Sequence, residues 1–188
     1  DFYRLLKKYK INFFSGVPDS LLKDLCAYIS DNTAKEHNII SANEGGAVAL
    51  ACGYNLATDN IPMVYMQNSG IGNAINPLLS LADEEVYNIP ILLLIGWRGE
   101  PGLKDEPQHK KQGEITLDLF KTMKIPYAIL PQNIKDADKC LNKSIQHIRK
   151  ISSPFALIVK KKTFDSYKLK NIDKTKFDMN REEALKII

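Results

Sequence analysis

Apolar positions along this chain fall into two alternating rhythms. Phe2, Leu5, Leu6 and Tyr9 recur at helical spacing and are followed by the short apolar run Ile11 to Phe14, which reads as a strand. Pro18 ends that strand, and Asp19 or Ser20 can cap a helix that carries Leu21, Leu22, Leu25 and Cys26. Ile39 and Ile40 form a second strand, which feeds a helix opened by Glu44. Pro62 to Met66 is a third strand, and it stops at the polar, glycine-rich turn from Gln67 to Asn73. A helix through Ile75, Leu78, Leu79 and Leu81 follows. Pro90 to Ile95 is the most apolar run, continuous as a parallel strand covered on both faces should be, and ends at Gly96-Trp97-Arg98-Gly99. Glu100 to Gly113, with Pro101, Gly102, Pro107 and charges throughout, reads as a long loop. Helix Ile115 to Met123, strand Tyr127 to Leu130, helix Ile134 to Ile148 and strand Phe155 to Val159 complete the series.

Six alternations of strand and helix predict an α/β fold, a three-layer sandwich with a six-stranded, mostly parallel sheet and helices on both faces. That domain is expected to span 1–160. Beyond Val159 the chain turns lysine-rich and loses its period, so 161–188 reads as a solvated linker and the start of a new helix. Asn180 is its N-cap and Glu183 its capping-box partner. A helix begun at the end, and a first residue other than Met, are expected of part of a longer polypeptide.

Charge changes little in this picture. The formal net charge of +4 sits wholly in residues 160–188, with nine Lys/Arg against five Asp/Glu, while 1–159 carry seventeen of each. A neutral body argues against nucleic acid as a partner. No apolar run approaches the roughly 20 residues of a membrane span, and the opening residues do not form a signal peptide, so a cytoplasmic protein is expected. Cys26, Cys52 and Cys140 lie far apart within helical patterns and read as buried thiols, not as a disulfide framework or a zinc site.

The candidate chemistry starts at Glu44. It opens a helix otherwise made of small and apolar residues, and Gly45 and Gly46 beside it would let a backbone or a flat ligand come close. An exposed helix-start carboxylate favoured by the macrodipole is one reading. The other is a poorly solvated carboxyl at the carboxyl end of a parallel strand, where open α/β sheets bind ligands. The 67–73 turn would aim backbone N–H groups above the sheet. It is not a dinucleotide fingerprint, since Ile75 stands where the third glycine is needed.

Four blocks in order, Gly16-Val17-Pro18-Asp19-Ser20, Ala42-Asn43-Glu44-Gly45-Gly46-Ala47, Gln67-Asn68-Ser69-Gly70-Ile71-Gly72-Asn73 and Gly96-Trp97-Arg98-Gly99-Glu100, carry a resemblance. The chain resembles the pyrimidine-binding half of thiamine-diphosphate-dependent 2-oxoacid decarboxylases, over residues 1 to about 165. The phosphonopyruvate decarboxylases are the most similar branch, and sulfopyruvate decarboxylases are similar through the second and third blocks.

The resemblance implies a carboxy-lyase whose substrate is a small anionic 2-oxoacid, 3-phosphonopyruvate foremost. It implies that Glu44 hydrogen-bonds N1′ of the cofactor's aminopyrimidine and so promotes loss of the thiazolium C2 proton, a role that desolvation of the carboxyl would serve. Asn68, Ser69, Gly70 and Asn73 are then expected beside thiamine diphosphate, and Ser15, Gly16, Asp19, Arg98 and His109 beside the substrate. Asp19 and His109 would manage protonation after carbon dioxide leaves, unless they are a helix cap and a surface loop histidine. Arg98, with Lys104, Lys110 and Lys111, would meet the phosphonate, unless those cations are balanced by Glu100, Asp105 and Glu106. His37 and His147 have no comparable context. The Gly-Asp-Gly segment with which the family holds Mg²⁺ is absent. Metal ligands are therefore expected on a separate diphosphate-binding domain or subunit, in a homo-oligomer, with this chain inactive alone. A sulfopyruvate decarboxylase subunit and a non-catalytic module of the same fold are the alternatives.

Overall fold

The structure is a computed structural model and describes residues 1–171, 179 and 181–187. Helix α1 (Phe2–Lys8) leads to strand β1 (Phe14–Gly16), then α2 (Lys23–Asn32), β2 (Asn38–Ile40), α3 (Glu44–Thr58) and β3 (Met63–Gln67). A single turn, Asn68–Gly70, enters α4 (Ile71–Pro77), which widens at Pro77 into a π-helical turn, Leu78–Ala82. There follow β4 (Leu92–Gly96), α5 (Pro107–Thr122), β5 (Tyr127–Ile129), α6 (Ile134–Ile151), β6 (Phe155–Val159) and α7 (Arg181–Ile187).

All six strands are parallel, in the order β2-β1-β3-β4-β6-β5. The expected three-layer α/β sandwich is therefore what forms. Alternation along the central strands sorts the core into two faces. Phe14, Met63, Tyr65, Leu92, Leu94 and Leu157 pack under α1, α2 and α6. Val64, Met66, Leu93, Ile95, Ala156 and Ile158 pack under α3, α4 and α5. Leaving β1 the chain turns outward to β2, and from β3 it turns the other way to β4. The order thus reverses between β1 and β3, and a crevice at their carboxyl ends is where such sheets take ligands.

Three expectations need correction. β1 begins at Phe14, three residues later than the apolar run, because Ile11 and Phe13 are buried before the chain pairs with its neighbours. The expected loop to Gly113 ends at Pro107, and α5 starts there: proline at the first helical position forgoes an N–H that would have had no partner. The segment after β6 is not a solvated linker as far as Asn171. Phe164 packs on Phe2, Tyr167 stands edge-on to Tyr28, and backbone N–H groups of Lys170 and Asn171 donate to Asp31 on α2. The expected cap Asn180 lies outside the described residues. Cys52 is buried, while Cys26 and Cys140 are half-buried; burial pushes the Cys26 thiol up to about 12 and Cys52 up to about 11. No described helix is long and apolar enough to cross a membrane.

Candidate active site

Glu44 occupies the first turn of α3, which Asn43 caps by accepting from Gly46 N at 2.8 Å. Ser15, buried on β1, donates to the Ala47 carbonyl at 2.9 Å and so ties this turn to the sheet. The Glu44 side chain lies flat against Gly70: a Cβ at Gly70 would stand 2.5 Å from both Cγ and Oε1. Asn73 Nδ2 donates to Oε2 at 2.8 Å, whereas among the described residues nothing donates to Oε1. A Cβ at Gly45 would meet the Asn73 carbonyl at 2.6 Å, so α3 and α4 touch through backbone here. Glu44 is half-buried in this chain, drier than a free helix start and wetter than an enclosed carboxyl.

A second cluster joins the ends of β1 and β4. Asp19 is 6% exposed; Oδ2 accepts from Leu21 N at 2.8 Å, and Oδ1 is buried without any hydrogen bond. The helix-cap reading of Asp19 is therefore half of its environment, and an unpartnered oxygen is the other half. Burial pushes its pKa up, against the backbone donors and the Arg98 charge. Arg98 grips Asp105 with two hydrogen bonds, Nε to Oδ2 at 2.9 Å and Nη2 to Oδ1 at 2.5 Å, and its Nη1 donates to Ser20 Oγ. His109, on the first turn of α5, places Nδ1 2.9 Å from Asp105 Oδ1. Arg98 and His109 are thus joined through one carboxylate, which the sequence presented only as a counter-charge. The i, i+4 spacing of Asp105 and His109 around Pro107 was the available signal. Lys104, Lys110 and Lys111 are exposed, and Lys111 pairs with Glu114.

The one-turn segment Asn68–Gly70 connects the clusters. Asn68 is wholly buried: its Nδ2 donates to the Arg98 carbonyl and to Thr116 Oγ1, both at 2.8 Å, and its Oδ1 accepts from Arg98 N. Its amide clamps β4 to α5 instead of facing a cleft, and Thr116 and Gln112, which the sequence did not single out, complete the clamp. Ser15 and Gly16, expected beside the substrate, are also buried, Gly16 because a side chain there would strike Tyr65. Ser69 is exposed and accepts from Gln67 at 2.6 Å, and Asn73 is exposed beside Glu44.

Residues 1–122 match the family described as thiamine pyrophosphate enzyme, N-terminal TPP binding domain. The chain belongs to that family. It is 38% identical over 117 residues to a phosphonopyruvate decarboxylase of Streptomyces hygroscopicus, covering 62% of this chain and 28% of that protein. It is 34% identical over 157 residues to sulfopyruvate decarboxylase subunit alpha of Methanocaldococcus jannaschii, covering 83% of this chain and 89% of the subunit. The chain therefore spans little more than a quarter of the first relative and nearly all of the second. Benzoylformate decarboxylase from Polynucleobacter necessarius shares the fold, with a TM-score of 0.64 at 18% identity over 92% of this chain and 32% of that one.

The family's cofactor is thiamine diphosphate, and the residues present fit its pyrimidine end. Among the described residues nothing donates to Glu44 Oε1, which leaves it for a ring nitrogen, while Gly70 lets the carboxyl lie flat and Gly45 lets the Asn73 backbone come close. No group of His, Cys, Asp and Glu able to hold a metal ion occurs among the described residues.

Proposed function

We propose that this chain supplies the pyrimidine-binding half of a thiamine-diphosphate-dependent decarboxylase that converts 3-phosphonopyruvate to phosphonoacetaldehyde and carbon dioxide. The observation that carries this reading is Glu44, held by Gly70 and Asn73 at the switch point of a parallel sheet with one oxygen free. Bound thiamine diphosphate supplies a carbon nucleophile for the keto group and stores the electron pair that carbon dioxide leaves behind. Glu44 hydrogen-bonds the pyrimidine and carries the proton that activates that carbon, while Asn73 fixes its second oxygen. Asp19, whose pKa burial raises, gives or takes the proton that follows loss of carbon dioxide, with His109 as its companion. Arg98 meets the anionic end of the substrate. Three of its five N–H groups are engaged by Asp105 and Ser20, which leaves two for a phosphonate.

The remaining contacts, including Mg²⁺ and the diphosphate, come from a diphosphate-binding domain or subunit, so this chain alone is inactive. Its place of docking is the outer stripe of α3: Gly46, Ala49, Leu50, Gly53, Leu56 and Ala57 are all exposed and all small or apolar. A helix that is apolar all round is one that is buried in its working assembly. A second reading, an α subunit of a sulfopyruvate decarboxylase, is favoured by the 89% coverage of the Methanocaldococcus jannaschii subunit. Carbon dioxide release by the complete enzyme with thiamine diphosphate and Mg²⁺, from 3-phosphonopyruvate, sulfopyruvate and pyruvate in turn, separates them. A higher kcat/KM for phosphonopyruvate supports the first reading and a preference for sulfopyruvate supports the second. Release from none of them defeats both.

A further inference from the structure

The carboxylate of Asp105 accepts five hydrogen bonds. Oδ2 receives Arg98 Nε at 2.9 Å and Gly99 N at 2.8 Å, and Oδ1 receives Arg98 Nη2 at 2.5 Å, Glu106 N at 2.8 Å and the His109 ring at 2.9 Å. Its side chain is 17% exposed, against 19% for Arg98 and 15% for His109. The Arg98 guanidinium holds the Asp105 carboxyl well below the usual carboxylate range, which favours its ionised form. An ionised carboxylate can only accept, and four of its five partners are fixed donors. The fifth, His109 Nδ1, must then carry its hydrogen too, which leaves Nε2 as the nitrogen that can exchange a proton.

We infer that Asp105 is the positioning residue of the site: it locks His109 as the Nδ1–H imidazole, with Nε2 as its working nitrogen, and holds Arg98 in fixed register with it. The backbone is built for this. Asp105 precedes Pro107, where α5 starts, and binds Glu106 N as well as Gly99 N across the loop, so the end of β4 and the first turn of α5 close on one carboxylate. Gly99 and Gly113 lack side chains where the two segments cross, and a Cβ at either would strike the other segment's backbone. The arrangement is the general one in which a base is oriented by a third group. Its importance for turnover rests on the decarboxylase reading; the tautomer does not.

The test uses the complete enzyme with thiamine diphosphate and Mg²⁺. With ¹⁵N-labelled histidine, NMR of the unmodified enzyme should show neutral His109 with its hydrogen on Nδ1. Asp105→Asn should shift the tautomers toward hydrogen on Nε2, because a neutral amide no longer holds the Nδ1–H with a carboxylate's charge. The same change should lower kcat about 10²-fold, the scale of a well-placed acid or base. In a His109→Gln background it should lower kcat hardly further, since its effect on kcat passes through His109, while what it does through Arg98 falls on KM. Neutral His109 with its hydrogen on Nε2 in the unmodified enzyme would overturn the inference, whether or not any variant folds. So would an equal loss from Asp105→Asn with and without His109, or no loss at all. An enzyme that decarboxylates no 2-oxoacid would remove the functional reading, while the NMR result would still decide the role of Asp105.

Discussion

Asp19 and Asp105 both feel the charge of Arg98, yet their surroundings drive them in opposite directions. Asp105 meets donors only and is held ionised. Asp19 has a buried oxygen with no donor, so burial outweighs the Leu21 hydrogen bond and the Arg98 charge. Such divergence between neighbouring carboxyls is how one site keeps a proton donor and a fixed anion together. It has a consequence for stability. The folded-state pKa of Asp19 lies above the unfolded value of about 3.9, so its contribution is complete below that pH and is lost as pH rises through the folded value. As pH rises through that value, ionising Asp19 therefore comes to oppose folding. Asp19→Asn should raise Tm near pH 7 by a few degrees, with the gain fading below about pH 4, and thermal melts followed by circular dichroism at both pH values check this. An equal gain at both would show that the effect is not ionisation. Turnover should fall in the same variant, as expected where a site carries strain for function.

At the scale of elements, the Asn68–Gly70 turn couples the two clusters, and Gly70 is its sensitive point. Its backbone, at φ −68 and ψ −15, suits any residue, and the nearest atoms a side chain there would meet are those of Glu44. Gly70→Ala should leave stability, read as Tm, unchanged or raise it by about 1 kcal/mol or less through the unfolded state. Cofactor affinity and turnover should nevertheless drop, because the Glu44 carboxylate has to swing away. Full activity in this variant would mean that the seat of Glu44 against Gly70 is unimportant. Much of this architecture was legible beforehand. Strand and helix alternate in apolar rhythms strong enough to give β3, β4 and β6 within two residues and the starts of α3 and α6, and Glu44 stood out because the rest of its helix has no charge. The start of α5 was hidden, since the polar residues of its first turns show no period and Pro107 reads equally as a loop. The path of 163–171 was hidden for another reason: it is fixed by backbone N–H groups on Asp31, and backbone donors leave no mark in a sequence. Asn68 misled because an amide in a polar turn looks like a ligand contact until its buried partners, Thr116 and the Arg98 backbone, are visible.

For the whole molecule, the proposed function makes the outer stripe of α3 and the half-buried Glu44 parts of one circumstance, a face that another domain or subunit covers. Leu56, 64% exposed, is the place to break that assembly. Leu56→Glu should leave the fold intact, since the side chain already faces solvent, and should prevent association with the diphosphate-binding half, as sedimentation would show. Unchanged association would place the interface elsewhere. Closing this face would also expel water from Glu44 and strengthen its bond to the pyrimidine. On the proposed function, Glu44 moves the proton that activates the cofactor. Exchange of the thiazolium C2 proton with solvent, followed by NMR in the complete holoenzyme, reports that step directly. Glu44→Gln, nearly isosteric but unable to carry the proton, should slow the exchange by about 10²-fold or more while the fold survives; an unchanged rate in a folded, cofactor-loaded variant would contradict it.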